Sequence, residues 1–374
     1  MRVGVIGAGM YANLSLNNYV AAGVEVVSVC DVVPERAKAA AETFGVPNVD
    51  ATHEELLERA EIDLVHVVVP PVYLATISRD VIAAGKNVLS EKPLGVSAEE
   101  AADLLQRAEA AGVVHAVGHE MRYDPLHRHA KNLVAEGFIG RPVVVNARDF
   151  TNYATNPKFS TFYSCWPRMV ADGGGVMQQH LSHTIDLIQS IVGPITEATG
   201  RATTYQTTAQ VLDPSISPAK LFELGAEAPT IGTVEVDGDD VVTVLATTAT
   251  GAVLTVSSGW TVQHPTGLAW EIHGTEGILT LDGEGVLRGA RSGEELRELT
   301  ATEDVGVQGA PDLLRRCGLG VAEPMHLPFM FQEFARDLSQ VIAGKRETGA
   351  YATFRDGLAT RRAMDQVERS TVRA

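Results

Sequence analysis

The chain has 374 residues, 45% of them hydrophobic and 21% charged, and its 30 Lys and Arg face 47 Asp and Glu for a formal net charge of −17. These ordinary fractions exclude a collagen-like, coiled-coil or largely disordered chain, and the length predicts roughly two domains. The acidic surplus argues against wholesale binding to nucleic acid or an anionic membrane. Cys30, Cys165 and Cys317 are far apart and show no CxxC spacing. They predict a reducing compartment with neither a disulfide framework nor a zinc cluster. No run of about 18 apolar residues predicts a membrane span. The start runs straight into Val3-Gly4-Val5-Ile6, so a soluble cytoplasmic protein is expected.

Up to about residue 120, short β-branched runs alternate with Ala-rich segments of helical period. Strands are predicted at Val3–Ile6, Val26–Cys30, Leu64–Val69, Asn87–Leu89 and Val113–Val117. Helices are predicted at Tyr11–Ala21, Glu35–Phe44, Val72–Ala84 and Ala98–Ala111, with Gly23, Gly45, Gly85 and Gly112 placed as C-caps. Such alternation describes a parallel sheet covered on both faces. From about residue 140 the pattern changes to strands with little helix between them: Val143–Phe150, Thr233–Val236, Val241–Ala246, Ala252–Gly259, Ala269–His273 and Gly277–Leu281. A mostly antiparallel sheet is expected there, with a helix near His180–Ile191 and two more near Phe329–Ala343 and Phe354–Ser370. Stretches 205–230 and 303–326 read as long irregular connections.

The first strand runs into Gly7-Ala8-Gly9-Met10-Tyr11-Ala12. The first glycine permits a tight turn, the second lets the backbone approach a pyrophosphate, and the small Ala12 lets the helix pack on the strand. Asp31 ends the second strand, where a carboxylate accepts hydrogen bonds from ribose hydroxyls and repels a 2′-phosphate. NAD is therefore favoured, with NADP as second choice because Arg36 lies nearby. A helix N-cap is the competing role for Asp31.

The run Ala84-Gly85-Lys86-Asn87-Val88-Leu89-Ser90-Glu91-Lys92-Pro93-Leu94 resembles the AGKHVxxEKPL signature of the glucose–fructose oxidoreductase/inositol dehydrogenase (Gfo/Idh/MocA) superfamily. Asp31 through Gly45, Arg122-Tyr123-Asp124-Pro125, Gly137-Phe138-Ile139-Gly140, Gly173-Gly174-Gly175 with His183 and Asp186, and Gly274-Thr275-Glu276-Gly277 resemble further family segments in order. The resemblance covers essentially the whole chain. It implies an NAD(P)-binding α/β Rossmann domain (1–120), then an α+β domain with a large open, mostly antiparallel sheet for substrate binding and oligomerisation (121–350), and a C-terminal helix packing back on the body (351–374). It also implies that Gly7, Gly9, Met10, Tyr11, Asp31, Pro70, Glu91 and Lys92 line the cofactor, that the Lys92-Pro93 peptide is cis, and that dimers or tetramers form through the second sheet.

Lys92 follows a strand at the carboxyl edge of the parallel sheet, where ligands bind in such folds. Held against apolar walls its pKa would fall, which suits proton transfer with a hydroxyl. The bland alternative is a surface lysine before a strand-ending proline. His183, His180 and Asp186 share a helix face, but no further partner has metal-ligand spacing, so no metal is expected. The resemblance places His183 beside the substrate. The family's usual aspartate four residues earlier is Gln179, which can hydrogen-bond a hydroxyl but cannot ionise. In Tyr163-Ser164-Cys165-Trp166-Pro167-Arg168 the indole of Trp166 offers a stacking face and Arg168 a fork for an anion. Arg168 and Arg122 are equally readable as structural ion-pair partners.

The expectation is an NAD-dependent oxidoreductase acting on a sugar, polyol or derivative, with an anionic sugar as one lead. Lys92 and His183 are the catalytic candidates, and Gln179, His180, Tyr123, Arg122, Trp166 and Arg168 the substrate-binding ones. A rival within the same superfamily is an NAD-dependent glycoside hydrolase that oxidises C3 transiently, eliminates the aglycone, adds water and re-reduces. A third reading is a nucleotide-binding sensor without chemistry, against which intact Lys92 and His183 count.

Overall fold

A computed structural model describes residues 1–155, 166–213, 216, 224, 227–300 and 327–371. Its first sheet has six parallel strands: β1 (Arg2–Ile6), β2 (Glu25–Cys30), β3 (Asn48–Val49), β4 (Leu64–Val67), β5 (Asn87–Ser90) and β6 (His115–Val117), ordered β3-β2-β1-β4-β5-β6. Connecting them are α1 (Met10–Ala21), α2 (Pro34–Phe44), α3 (His53–Leu57), α4 (Pro71–Ala83) and α5 (Ala98–Ala111). Val3, Val5, Leu64, Val65 and Val67 are fully buried, as consecutive apolar residues must be when helices cover both faces. Helix ends follow local chemistry. Ser97 caps α5 by accepting from Glu100 N, and Gly45 and Gly112 close α2 and α5 in the left-handed region.

The second part opens with α6 (Pro125–Ala135), and β7 (Pro142–Phe150) follows. A π-helical turn, Met177–Leu181, runs directly into α7 (Ser182–Val192). The remaining strands are β8 (Ile195–Thr203), β9 (Thr208–Leu212), β10 (Thr230–Glu235), β11 (Val241–Thr248), β12 (Val253–Gly259), β13 (Gly267–Gly274), β14 (Gly277–Leu281), β15 (Leu287–Arg291) and β16 (Arg297–Glu298), before α8 (Leu327–Ile342) and α9 (Phe354–Ser370). Eight of the strands form a sheet ordered β16-β15-β14-β13-β7-β12-β11-β8, antiparallel except where β12 lies parallel to β7. Along β11, Val242, Val244 and Ala246 are buried while Thr243 and Leu245 are exposed. That alternation leaves one face for α7 and α9 and the other for solvent.

Several elements depart from the sequence expectation. The strand expected over residues 64–69 stops at Val67, whose pairing with Ile6 includes the bond from the Val68 amide to the Ile6 carbonyl. Thr230–Glu235 joins Thr208–Leu212 in a separate two-stranded sheet rather than the large one. Stretch 205–230 therefore contains a strand where an irregular connection was expected. α6 is started by Asp124, whose carboxylate accepts from the Leu126 and His127 amides ahead of Pro125. Stretch 303–326 lies outside the described residues. Among those described, no helix is long and apolar enough to cross a membrane.

α9 joins the two sheets. Phe354 and Leu358 sit in the first-sheet core with Val117 and Leu94, while Ala363, Met364 and Val367 sit in the second with Ile185 and Val244. Phe354 is fully buried. Phe354→Ala is expected to cost about 3–5 kcal/mol, read as a lower urea midpoint at unchanged slope.

Candidate active site

The carboxyl ends of β1, β4, β5 and β6 lie at one edge of the first sheet, where the strand order passes from β1 to β4, the place at which sheets of this kind bind ligands. Gly7 has φ +101°, and a Cβ there would lie 2.1 Å from the Val68 carbonyl oxygen, so only glycine makes this turn. Gly9 differs: no atom lies within 4 Å of where its Cβ would stand. Its role is to keep space open before the N-terminus of α1, which begins at Met10 and Tyr11. The Asp31 carboxylate is fixed at the end of β2, accepting from Ala8 N at 2.7 Å and Val33 N at 2.8 Å. Pro70 precedes α4 at the neighbouring strand end and is part exposed. An open cradle at a helix N-terminus, with a carboxylate anchored beside it, fits the pyrophosphate and ribose of a dinucleotide.

Lys92 leaves β5 before a cis Lys92-Pro93 peptide. Its Nζ donates to the Gln179 carbonyl at 2.8 Å and lies 3.5 Å from Gln179 Oε1. Gln179 and His180 are carried by the π-helical turn, a winding found mainly at functional sites. Behind Lys92, the buried Glu91 bonds His66 Nε2 at 3.2 Å, and His66 Nδ1 pairs with the Tyr19 hydroxyl at 3.0 Å. Gly118 makes room for that carboxylate, since a Cβ there would stand 2.9 Å from both oxygens. Removal from water pushes the Lys92 pKa down, and the charges of Glu91 and Glu120 oppose that fall.

His183, in the first turn of α7, is part exposed, and its Nδ1 is buried without a hydrogen-bond partner. Desolvation, then the nearby Lys92, His119 and His180, holds it neutral well below the usual histidine range. His119 packs edge-on against it with ring centroids 5.5 Å apart. Glu120 is buried and accepts from the Tyr11 hydroxyl at 3.3 Å. Burial and Glu91 push its carboxyl up to about 8.

Lys92 thus links Gln179, His183 and, through Glu120, Tyr11 of the glycine turn, while other candidates point their polar ends elsewhere. Arg122 forks onto Asp186 with two 2.7 Å bonds and also reaches Asp356 at 3.2 Å. The Tyr123 hydroxyl donates to Asp337 at 2.5 Å while its ring stacks on Phe334 of α8. Arg168 is buried against Asp240 and the Gln206 carbonyl. Arg122 and Arg168 are therefore structural ion-pair partners. Tyr123 holds α8. His180 lies 3.6 Å from Asp149, its ring between Tyr153 and Trp260. Residues 163–165 and the Trp166 side chain lie outside the described residues.

Sequence reasoning gave no role to Glu120 and His119, which interact with the Lys92 charge, or to His66 and Tyr19, which stand behind Glu91. Two signals were present: a histidine inside the otherwise apolar β4, and a His-Glu pair just past β6 at the edge that carries Glu91 and Lys92.

Residues 1–119 match the family model for the oxidoreductase family with NAD-binding Rossmann fold, and residues 127–280 match that for the GFO/IDH/MocA C-terminal domain. The chain belongs to the GFO/IDH/MocA family. It is an NAD(P)-dependent oxidoreductase, with the NAD-binding fold in its first part. A levoglucosan dehydrogenase of Pseudarthrobacter phenanthrenivorans is 27% identical over 302 residues, 76% of this chain and 74% of that one. A 1,5-anhydro-D-fructose reductase of Ensifer adhaerens is 32% identical over 192 residues, 51% of this chain and 56% of that one. Among solved structures, an NAD-binding oxidoreductase from Klebsiella pneumoniae superposes with TM-score 0.80 at 24% identity, covering 99% of this chain and 96% of that one. A levoglucosan dehydrogenase complex with NADH and L-sorbose superposes equally well, TM-score 0.80, at 22% identity over the same shares. At those identities the superpositions speak for the GFO/IDH/MocA fold alone.

Gly9→Val separates cradle from scaffold. With no neighbour to strike, the variant is expected to keep its unfolding midpoint and lose NADH affinity by at least about tenfold, 1.4 kcal/mol. Fluorescence titration of NADH measures this, and unchanged affinity would show that the cradle is not used.

Proposed function

We propose that the protein oxidises a secondary alcohol of a neutral sugar or polyol with NAD, Lys92 acting as the base. The observation that carries this reading is the Lys92 ammonium, its pKa lowered by burial, held at 2.8 Å on a backbone carbonyl beside His183 and the Gly7–Tyr11 turn. Bound NAD supplies the hydride acceptor. Lys92, deprotonated, takes the hydroxyl proton as the carbon loses hydride, and the Gln179 carbonyl keeps Nζ aimed. His183, neutral, offers a ring nitrogen to the same hydroxyl and adds no charge beside Lys92. The Gln179 amide can hold a second hydroxyl by donating or accepting.

Two observations favour an uncharged substrate. Arg122 and Arg168, the cations expected to fork onto an anion, are committed to Asp186, Asp356 and Asp240. The charges that act on Lys92 are those of the carboxylates Glu91 and Glu120, which when ionised would repel a further anion. Relatives named for levoglucosan and inositol agree with such a substrate class.

Lys92→Met is expected to lower kcat by about 10²–10⁴ while NADH still binds. Full turnover in that variant would sink the assignment. Across a panel of sugars and polyols, NADH should accumulate in equal amount with oxidised product. Aglycone release without net NADH would instead identify the redox-neutral hydrolase.

A further inference from the structure

Glu120 has no part in the proposed reaction as drawn, yet it stands where the reaction's proton must be managed. It is 4% exposed, and while Oε1 accepts from Tyr11, its Oε2 is buried with no hydrogen-bond partner. A carboxylate oxygen enclosed without a donor is costly, and carrying a proton there removes most of that cost. The groups around it leave few other ways to relieve it. From α1 comes Tyr11, whose phenol already donates and whose ring meets Phe331 of α8; from the end of β5 come Glu91 and Lys92. On the flanking elements, Asp337 is occupied by Tyr123 and Arg346, Asp186 by Arg122, and His66 by Glu91 and Tyr19. His119, beside it in sequence, is buried, its pKa lowered by that burial, and its two ring nitrogens lack hydrogen-bond partners. Lys92 therefore stands among two carboxylates, Glu91 and Glu120, whose charges both act on it.

We infer that Glu120 is the positioning residue for the Lys92 proton: the pair shares a proton, and its residence on Glu120 Oε2 leaves Lys92 as free base. This deepens the reading of Lys92 as the base and rests on it. In the forward reaction the substrate O–H bond breaks as the Nζ–H bond forms. Nζ can take that proton because its own is held on Glu120. When Glu120 is ionised, its charge favours the ammonium and holds Lys92 in the form that cannot accept. The two groups accordingly titrate as a pair, not singly.

Three variants test this. In wild type, kcat/KM for alcohol oxidation should rise with pH in two steps, one for each proton lost from the pair. Glu120→Gln fixes the uncharged state, so its profile should show a single rise, on the order of one pH unit below the last wild-type step. Glu120→Asp should restore the two-step form. A purely structural role would lower the whole profile without changing its shape. Infrared difference spectra of the cofactor-free protein supply a readout independent of turnover. A protonated-carboxyl band should vanish as pH is raised, be absent in Glu120→Gln, and persist to higher pH in Lys92→Met, where the opposing positive charge is gone. A Glu120→Gln profile that keeps the wild-type shape, or a carboxyl band unchanged by that substitution, overturns the inference. Full turnover in Lys92→Met defeats instead the reading on which it rests, and the band still reports on Glu120 separately.

Discussion

A lysine ammonium set against a peptide carbonyl, the 2.8 Å bond from Lys92 Nζ to Gln179 O, is the contact around which the rest is organised. It joins the last residues of a parallel strand to a turn belonging to the other sheet, so both must be held to a fraction of an ångström. On the Gln179 side, the Asp239 carboxylate accepts from Met177 N, and Gln178 is clamped between Arg361 and Glu368 of α9. Arg361 is fully buried and bonds Asp365, whose other oxygen accepts from Ala98 N at the start of α5. The chain of bonds thus returns to the first sheet. Buried polar networks of this kind rigidify a structure when their members are satisfied.

The Arg122–Asp186 fork gives a second tie between the same halves, and its cost explains its form. Each ion alone in that interior would be heavily penalised, and two short parallel bonds with a third contact to Asp356 offset the loss of water. Such an arginine is unavailable to a ligand. Residue type at a domain junction is readable as an anion-binding role as easily as a structural one, and the carboxylate partners appear only in the fold.

Most of the first sheet was legible because apolar β-branched runs and Gly-ended helices alternate with the right periods. α3 and β3 were not, since five and two residues are too short to display a period. β8, with the sequence ITEATGRAT, hides its alternation behind small and polar residues facing solvent. Of the site, the Gly7–Ala12 turn, Asp31, Lys92, Gln179 and His183 could be named because local sequence carries their chemistry. Glu120 and His119 could not, because their significance comes from what surrounds them: an unpartnered oxygen, a neighbouring Glu91 admitted by Gly118, a ring set edge-on to His183. Contacts between residues far apart in sequence leave no periodic trace.

The two halves contribute different kinds of group to the site. The first sheet brings the charges, Glu91, Lys92, Glu120 and Asp31; the π-helical turn and α7 bring a carbonyl, an amide and a neutral imidazole. On the proposed reading, the protonation of Lys92 is governed within the first sheet, while hydroxyl recognition falls to the second. A change of substrate can then be accommodated by altering the second half without resetting the base. The acidic surplus of the chain extends into this site, where Lys92 faces Glu91 and Glu120. That imbalance, more than any local basicity, makes the lysine's proton sensitive to its neighbours.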